Sequence, residues 1–407
     1  MEQPDLTWIE GGGVTSARGF SAAAAVAGIK TYGPEPRYDL ALLVADRACA
    51  VAGVFTQNRV CGAPVTVCRE RLALGTSRGV IVNSGCSNVA TGEQGIRDAV
   101  TMTQLAAKQA GLTAAELMVA STGVIGRLLP MEKLEAGMPK LALDARNGEL
   151  FARAIMTTDT VHKSRALRVS ASSGSFTIGG SAKGAGMVHP NMATVLCFLT
   201  TDAAVDVAWL QTTLRAAADV SLNMLDVDMD TSTSDTMLIF ASGAAGGEPI
   251  RAGHPDASRF ELALRTLCIE LARDLARDGE GARTLIEVEV EGAVSDQDAR
   301  DAARTIVSSP LVKTMVTGRD PNLGRVLAAL GRSGAQIDPV KTSVYIESLC
   351  AFENGAPSSV DYKDLSAAMN KPEVRIRVTL GLGSASARAF GCDLTEEYVR
   401  INADYTT

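Results

Sequence analysis

Aromatic side chains make up only 4% of the 407 residues, and histidine occurs three times. A core short of large rings must be built from Ala, Val, Leu and Ile packed closely through small residues, and 38 glycines leave room for that. Excess positive charge is also missing. The 39 basic and 46 acidic side chains give a net charge of −7, which excludes a nucleic-acid binder that relies on a broad basic surface. No run of about 18 apolar residues is present, so no membrane span is expected. The start, Met1-Glu2-Gln3-Pro4-Asp5, has no basic region followed by an apolar stretch, and we expect a chain that is not exported. Eight cysteines, at 49, 61, 68, 86, 197, 268, 350 and 392, form no C-x-x-C pair and no dense framework. That usage fits a reducing cytosol.

What is present is ordinary globular material, 46% hydrophobic and 21% charged, with length enough for two or three domains at about 150 residues each. Short β-rich runs alternate with helical periodicity, which points to an α/β or α+β fold. Arg78 to Asn83 reads as a buried strand stopping at Ser84-Gly85, followed by a helix over 93–110 that ends at Gly111. Glu116 to Ala120 reads as a second strand, running into Ser121-Thr122-Gly123. Later, 206–222 reads as a helix, and Leu264, Leu267, Cys268, Leu271 and Leu275 share one face of another that stops at Asp278-Gly279. Leu285 to Val290 alternates strictly as in a half-exposed strand, a helix follows over about 295–308, and 356–366 reads as a loop. We place a boundary near residue 285, between a catalytic region, 1–285, and a C-terminal α/β domain, 286–407.

The most informative stretch is Lys183-Gly184-Ala185-Gly186-Met187-Val188-His189-Pro190-Asn191-Met192-Ala193-Thr194, followed by the apolar Val195-Leu196-Cys197-Phe198-Leu199. Glycines permit tight, unusual turns, and a residue at the mouth of a buried strand is well placed to display a nucleophile. Threonine is a poor nucleophile at its own pKa. One solution is to make it the first residue of a new chain, whose α-amine, with an ordinary pKa of about 7.7 to 8.0, serves as the base. That requires a break between Ala193 and Thr194. Taken by itself, the pattern describes a Gly-rich turn before a core strand better than it describes a nucleophile.

The segment resembles the self-cleavage signature K-G-x-G-M-x-x-P-N-M-A-T of the ornithine acetyltransferase family, the glutamate N-acetyltransferases of cyclic arginine biosynthesis. Other blocks resemble the family in order: Asn83-Ser84-Gly85, Ala120 to Gly126, Ile155 to Asp159, Asp230 to Thr233, Leu311 to Thr314, Asp320-Pro321-Asn322 and the tail Ile401 to Thr407. The similarity covers essentially the whole chain.

The resemblance implies a layered α/β/β/α arrangement like that of N-terminal nucleophile enzymes, with a smaller α/β C-terminal domain. It further implies autocatalytic cleavage into chains 1–193 and 194–407. The freed Thr194 would take acetyl from N-acetyl-L-ornithine and pass it to L-glutamate in a ping-pong reaction. Thr122 and Gly123 match the family's oxyanion-stabilising positions, and Thr157, Lys183, Thr194, Glu280, Asn402 and Thr407 match its substrate-binding positions. Lysine suits a substrate carboxylate and glutamate a substrate ammonium. No metal or organic cofactor is implied, and acetyl-CoA enters as a second acetyl donor if the protein is a bifunctional member. The implied assembly is a cytoplasmic heterotetramer of two N-terminal and two C-terminal chains.

Some features depart from the family pattern or compete with it. His162 stands where the family often has Pro, Cys86 replaces an Asn, Met229 a Gly and Leu323 a Trp. His189 reads as a structural or loop histidine. Asp226, Asp228 and Asp230 open like a calcium loop, but Thr231 and Met237 occupy the positions that need Gly and Glu. Gly381-Leu382-Gly383 starts a dinucleotide fingerprint whose third glycine would fall at Ser386. Both readings are rejected. The rival functions are an aminopeptidase or amidase on the same fold and an uncleaved, non-catalytic paralogue that binds acetylated amino acids.

Overall fold

The computed structural model describes residues 6–30, 36–172, 174–189 and 195–404. Its larger sheet has nine strands in the order Leu6–Trp8, Lys163–Ala171, Gly174–Lys183, Leu196–Thr201, Thr236–Ala241, Leu40–Phe55, Thr76–Cys86 and Leu117–Val124, with Phe20–Ala25 also paired to Leu40–Phe55. The 16-residue strand is the hinge of this sheet. Its Leu40–Ala45 half pairs with Phe20–Ala25 and Thr76–Cys86, while its Ala50–Phe55 half pairs with Thr236–Ala241. The register slips between Val44 and Cys49, around the exposed Asp46-Arg47-Ala48, as expected where a bulge bends a strand from one packed layer into another.

Helices Ala63–Leu72 and Gly92–Ala110 cover one half of the sheet, and Val207–Asp219 and Ala257–Arg277 cover the other, giving the layered α/β/β/α arrangement. The apolar run after Thr194 follows from this geometry. Successive residues of a strand face opposite sides, so a strand covered on both faces is apolar throughout. In Leu196–Thr201, Leu196 and Phe198 point into one core, with Phe151 and Phe240, while Cys197 and Leu199 point into the other, with Leu264 and Leu271. Phe198 and Phe151 meet edge to face, with centroids 5.5 Å apart.

The second sheet runs Ala356–Pro357, Leu349–Glu353, Ser343–Ile346, Glu373–Thr379, Leu285–Ala293, Ala385–Cys392 and Leu225–Asp226. A third core lies between it and the helices Asp296–Val307, Pro310–Gly318 and Leu323–Gly331. Its last strand comes from well before residue 285, so this sheet reaches back across the boundary expected there.

Most elements fall where the periodicity places them. The helix Gly92–Ala110 ends at Gly111 in the left-handed conformation, φ +68°, and Val207–Asp219 starts at Asp206, whose side chain accepts the Trp209 amide. Four readings need correction. Thr76–Cys86 continues through Ser84-Gly85, so Cys86 ends a strand and is buried, where a loop was expected. Glu116 closes a 3-10 turn whose capping box with Thr113 delays the next strand to Leu117. Leu285–Ala293 is mostly buried because Glu287, 1% exposed, is turned inward and ion-paired to Arg273. Residues 356–366 hold the strand Ala356–Pro357 and the start of a helix, Tyr362–Ala368, capped by Asp361.

Phe198 has no exposed surface and lies in a core that also takes Phe151 and Phe240. Phe198→Ala is expected to cost about 3–5 kcal/mol in urea unfolding monitored by circular dichroism.

Candidate active site

Five separate segments deliver side chains to one cavity of about 120 Å³. Thr122 and Gly123 come from the end of Leu117–Val124, Thr157 follows the helix Gly148–Ile155, and Lys183 ends Gly174–Lys183. Glu280 lies just past the helix Ala257–Arg277, and Asn402 sits on the last helix, Glu396–Asp404. The structure therefore brings together six of the residues singled out from the sequence. Ser87, Met187 and the Ser232-Thr233-Ser234 turn complete much of the wall. Ala193, Thr194 and Thr407 lie outside the described residues.

Backbone geometry explains the glycines. Gly123 has φ +125°, and a Cβ there would lie 2.4 Å from the carbonyl carbon of Gly85 and 2.7 Å from the Cys86 nitrogen. Only glycine allows these two parallel strand ends to approach so closely. A Cβ on Gly186 would lie 2.4–2.5 Å from the carboxylate of Glu280. Glycine at 186 thus leaves the space that this carboxylate fills. Asn402 Nδ2 donates to Glu280 Oε2 at 2.8 Å, and the Glu280 amide donates to the Ala185 carbonyl at 2.8 Å.

Lys183 is 2% exposed, and its Nζ lies 3.2 Å from Thr122 Oγ1. Burial pushes its pKa below the usual lysine value, with Lys163 adding to the effect and Asp159, Asp235 and Glu280 opposing it. Beneath it is a carboxylate that the sequence reading did not single out as a site residue. Asp159 Oδ1 accepts the Gly184 amide at 2.7 Å and Lys163 Nζ at 2.5 Å, and its Oδ2 accepts the Thr157 amide at 2.9 Å. Lys163 also reaches Asp278 Oδ2 at 2.5 Å. Asp278 in turn accepts the Thr160 amide at 3.0 Å and the Thr160 hydroxyl. Burial acts to raise the Asp159 pKa, but Lys163 and Lys183, with the Lys163 and Gly184 hydrogen bonds, outweigh it and hold the carboxyl below its usual range. One buried ion network thus joins the segments that carry Thr157, Lys183 and Glu280.

A second acidic set holds residues 187–189, ahead of the expected Ala193-Thr194 junction. Asp228 accepts the amides of Met187 at 2.6 Å and Val188 at 2.9 Å, and Asp226 Oδ1 meets His189 Nδ1 at 2.8 Å. Lys313, from the helix Pro310–Gly318, pairs with Asp226 Oδ2 at 3.1 Å and donates to the Cys392 carbonyl at 2.9 Å. These contacts are the work done by the acids that resemble a calcium loop, and His189 is accordingly a tethering histidine. Beyond the junction, the Val195 amide donates to Asp235 Oδ1 at 3.0 Å. Asp159, Lys163, Asp278 and Asp235 went unassigned because a buried acid or base has no spacing signature of its own. The nearest signal was Asp159 itself, which closes the Ile155 to Asp159 block.

The departures have local accounts. Met229 sits at φ +68°, a conformation that suits the family's glycine. The thiol of Cys86 is buried, which pushes its pKa up and argues against a nucleophile. His162 stands 3.6 Å from Glu149 and lines a different cavity, with Lys163 and Arg165. Leu323 begins the helix Leu323–Gly331 and packs on the third core.

The structure is a layered α/β protein with a small polar cavity lined by both a buried lysine and a carboxylate, a charge pair that suits a small zwitterion. The chain belongs to the ArgJ family, whose model matches residues 21–407. It is 48% identical over 397 residues to the arginine biosynthesis bifunctional protein ArgJ of Dehalococcoides mccartyi strain CBDB1, covering 97% of this chain and 98% of that one. The Bacillus subtilis strain 168 protein of the same name is 42% identical over 397 residues, 97% of each. Among solved structures, ArgJ of Bacillus halodurans aligns at 42% identity with a TM-score of 0.49, covering 51% of this chain and 97% of that one.

Removing one partner from a buried ion network leaves the others uncompensated. Asp159→Asn is expected to lose about 3–5 kcal/mol of stability at pH 7. Because the folded-state pKa of Asp159 is depressed, its contribution is present above the unfolded value near 3.9 and is lost as the pH falls through the folded value. The gap between wild type and variant in urea unfolding should therefore narrow below about pH 4. A gap independent of pH would mean that the carboxylate is not ionised in the fold.

Proposed function

We propose that this ArgJ-family enzyme moves acetyl from N-acetyl-L-ornithine to L-glutamate through an acetyl-Thr194 intermediate, after cleaving itself between Ala193 and Thr194. The observation that carries the reading is the convergence of Thr122, Gly123, Thr157, Lys183, Glu280 and Asn402 on one cavity. Met187, upstream of the junction, and Ser234, beside the residue that holds Val195, line the same cavity.

In processing, the Thr194 hydroxyl attacks the Ala193 carbonyl carbon and the peptide C–N bond breaks, leaving an ester that water hydrolyses. The α-amine so released takes the hydroxyl proton when Thr194 attacks the acetyl carbonyl. Ornithine leaves with a proton on its nitrogen, and the amine of glutamate then attacks the acetyl ester. Each addition places negative charge on an oxygen, for which Thr122 and Gly123 are the proposed donors. Lys183 pairs with a substrate carboxylate, the Glu280 carboxylate with a substrate ammonium, and Thr157, Asn402 and Thr407 complete the proposed binding set.

No resident cofactor or metal takes part in this scheme, and acetyl-CoA serves as a second acetyl donor, in keeping with the bifunctional relatives. The proposed assembly is a heterotetramer of two chains of each kind, working in the cytoplasm. Among the described residues no helix is long and apolar enough to cross a membrane.

Intact mass spectrometry under denaturing conditions should give two species parting between Ala193 and Thr194. Ornithine release should depend on added glutamate, whereas a hydrolase on this fold would turn over equally well without it, and an uncleaved binding protein would give one species and no release. Thr194→Ala should remain one inactive chain. Thr122→Ala should lower kcat on the order of 10²-fold with KM little changed, and a comparable rise in KM instead would make Thr122 a ground-state binding residue.

A further inference from the structure

The two amino acids that would exchange in this pocket end in opposite charges, ornithine in an ammonium and glutamate in a carboxylate. Among the described residues that line the cavity, Lys183 is the only basic side chain and Glu280 the only acidic one. In the acyl-transfer reading above, Lys183 takes the α-carboxylate that both substrates share, and Glu280 takes the ornithine ammonium. The side-chain carboxylate of glutamate would meet a like charge at Glu280 and needs donors elsewhere in the wall.

The Ser232-Thr233-Ser234 turn can supply them. Four successive carbonyls are engaged by the protein: Thr231 O accepts Asn58 Nδ2 at 3.1 Å, Ser232 O the Thr56 hydroxyl at 2.6 Å, Thr233 O the Gly62 amide at 2.9 Å and Ser234 O the Thr236 hydroxyl at 3.1 Å. None of these four donor residues lines the cavity, so the acceptors of the turn are drawn away from it. Two of its donors are used as well. The Ser234 amide donates to Ser232 Oγ at 3.0 Å, and the Ser232 hydroxyl, like that of Thr56, faces the buried Asp235 carboxyl. The Thr233 amide and the Thr233 and Ser234 hydroxyls have no partner among the described residues. Thr233 is 9% and Ser234 8% exposed, yet both line the cavity, so these donors are sheltered from water and open to a ligand. Sheltered polar groups are seldom left without a partner.

Building on the acyl-transfer reading, we propose that Thr233 and Ser234 form the subsite for the side-chain carboxylate of the acetyl acceptor. Uncharged donors suit a pocket that must also admit the ornithine ammonium, because they stabilise an anion without a fixed positive charge. The neighbouring Asp235 does not work against them. Burial pushes its carboxyl well above the usual range, against the Val195 hydrogen bond, the charge of Lys183 and the Ser232 and Thr56 hydrogen bonds, which lessens the negative charge beside the subsite.

The test compares full-length wild type with Thr233→Val, Ser234→Ala and Thr233→Ser by intact mass, melting temperature and steady-state kinetics. The acceptors are L-glutamate and L-norvaline, which has the same chain length with a methyl in place of the side-chain carboxylate. Wild type should strongly prefer glutamate. Thr233→Val and Ser234→Ala should each cut that preference about tenfold, the size expected for one hydrogen bond to a charged group, with KM raised more for glutamate than for N-acetylornithine. Thr233→Ser keeps the hydroxyl and should restore most of the preference. Equal losses for both acceptors, a loss confined to N-acetylornithine, or a wild type that uses norvaline as well as glutamate would each overturn the assignment. Should the variants fail to fold or to cleave, hydrogen exchange in the wild-type enzyme decides: glutamate, and not norvaline, should slow exchange across residues 231–235, and no difference rejects the subsite. A wild type that releases no ornithine when glutamate is added would instead overturn the acyl-transfer reading itself.

Discussion

The buried carboxylate of Asp159 is the constraint on which the rest of the pocket depends. It takes the amides of Thr157 and Gly184 and the ammonium of Lys163, and Lys163 carries the connection on to Asp278, two residues before Glu280. A lone ion in such a place would be prohibitive. Here Asp159, Lys163 and Asp278 partner one another, so the network converts an electrostatic cost into fixed geometry for three chain segments that are distant in sequence. Lys183 gains from this arrangement a position against Thr122 that a solvated lysine would not keep.

Much of the fold could be read from the sequence because it rests on periodicity. The helix bearing Leu264, Leu267 and Leu271 shows a 3.6-residue stripe, and the run from Val195 to Leu199 is apolar at every position because both faces of its strand are covered. Where side-chain pairing overrides pattern, the reading fails. Glu287 looks outward-facing by alternation yet is buried on Arg273, and Cys86 sits past an apparent strand end that the chain runs straight through. The site divides in the same way. Thr122, Lys183 and Asn402 lie in blocks whose similarity identified them, and Glu280 matched a family position singly, whereas Lys163 and Asp278 act through contacts between segments up to 118 residues apart, from Thr160 to Asp278, which no local motif encodes.

The smaller sheet also belongs to the working part of the molecule. Lys313 reaches from its helical cover to Asp226, and Asp226 holds His189 in the loop leading to the junction. Asp226 is itself in the edge strand of that sheet, paired beside Gly391. The C-terminal helix completes the connection by bringing Asn402 to Glu280. Residues after 285 therefore support both the loop before the junction and the mouth of the cavity.

The strand order of the larger sheet bears on what a cut between Ala193 and Thr194 leaves behind. Leu196–Thr201 and Thr236–Ala241 come after the cut, yet they lie side by side between Gly174–Lys183 and Leu40–Phe55, which come before it. The two products of such a cut would be interleaved like the fingers of clasped hands, with a hydrogen-bonded ladder on each flank and an apolar layer above and below. Scission at that point frees an end without freeing a piece, and the fragments could part only by unfolding together.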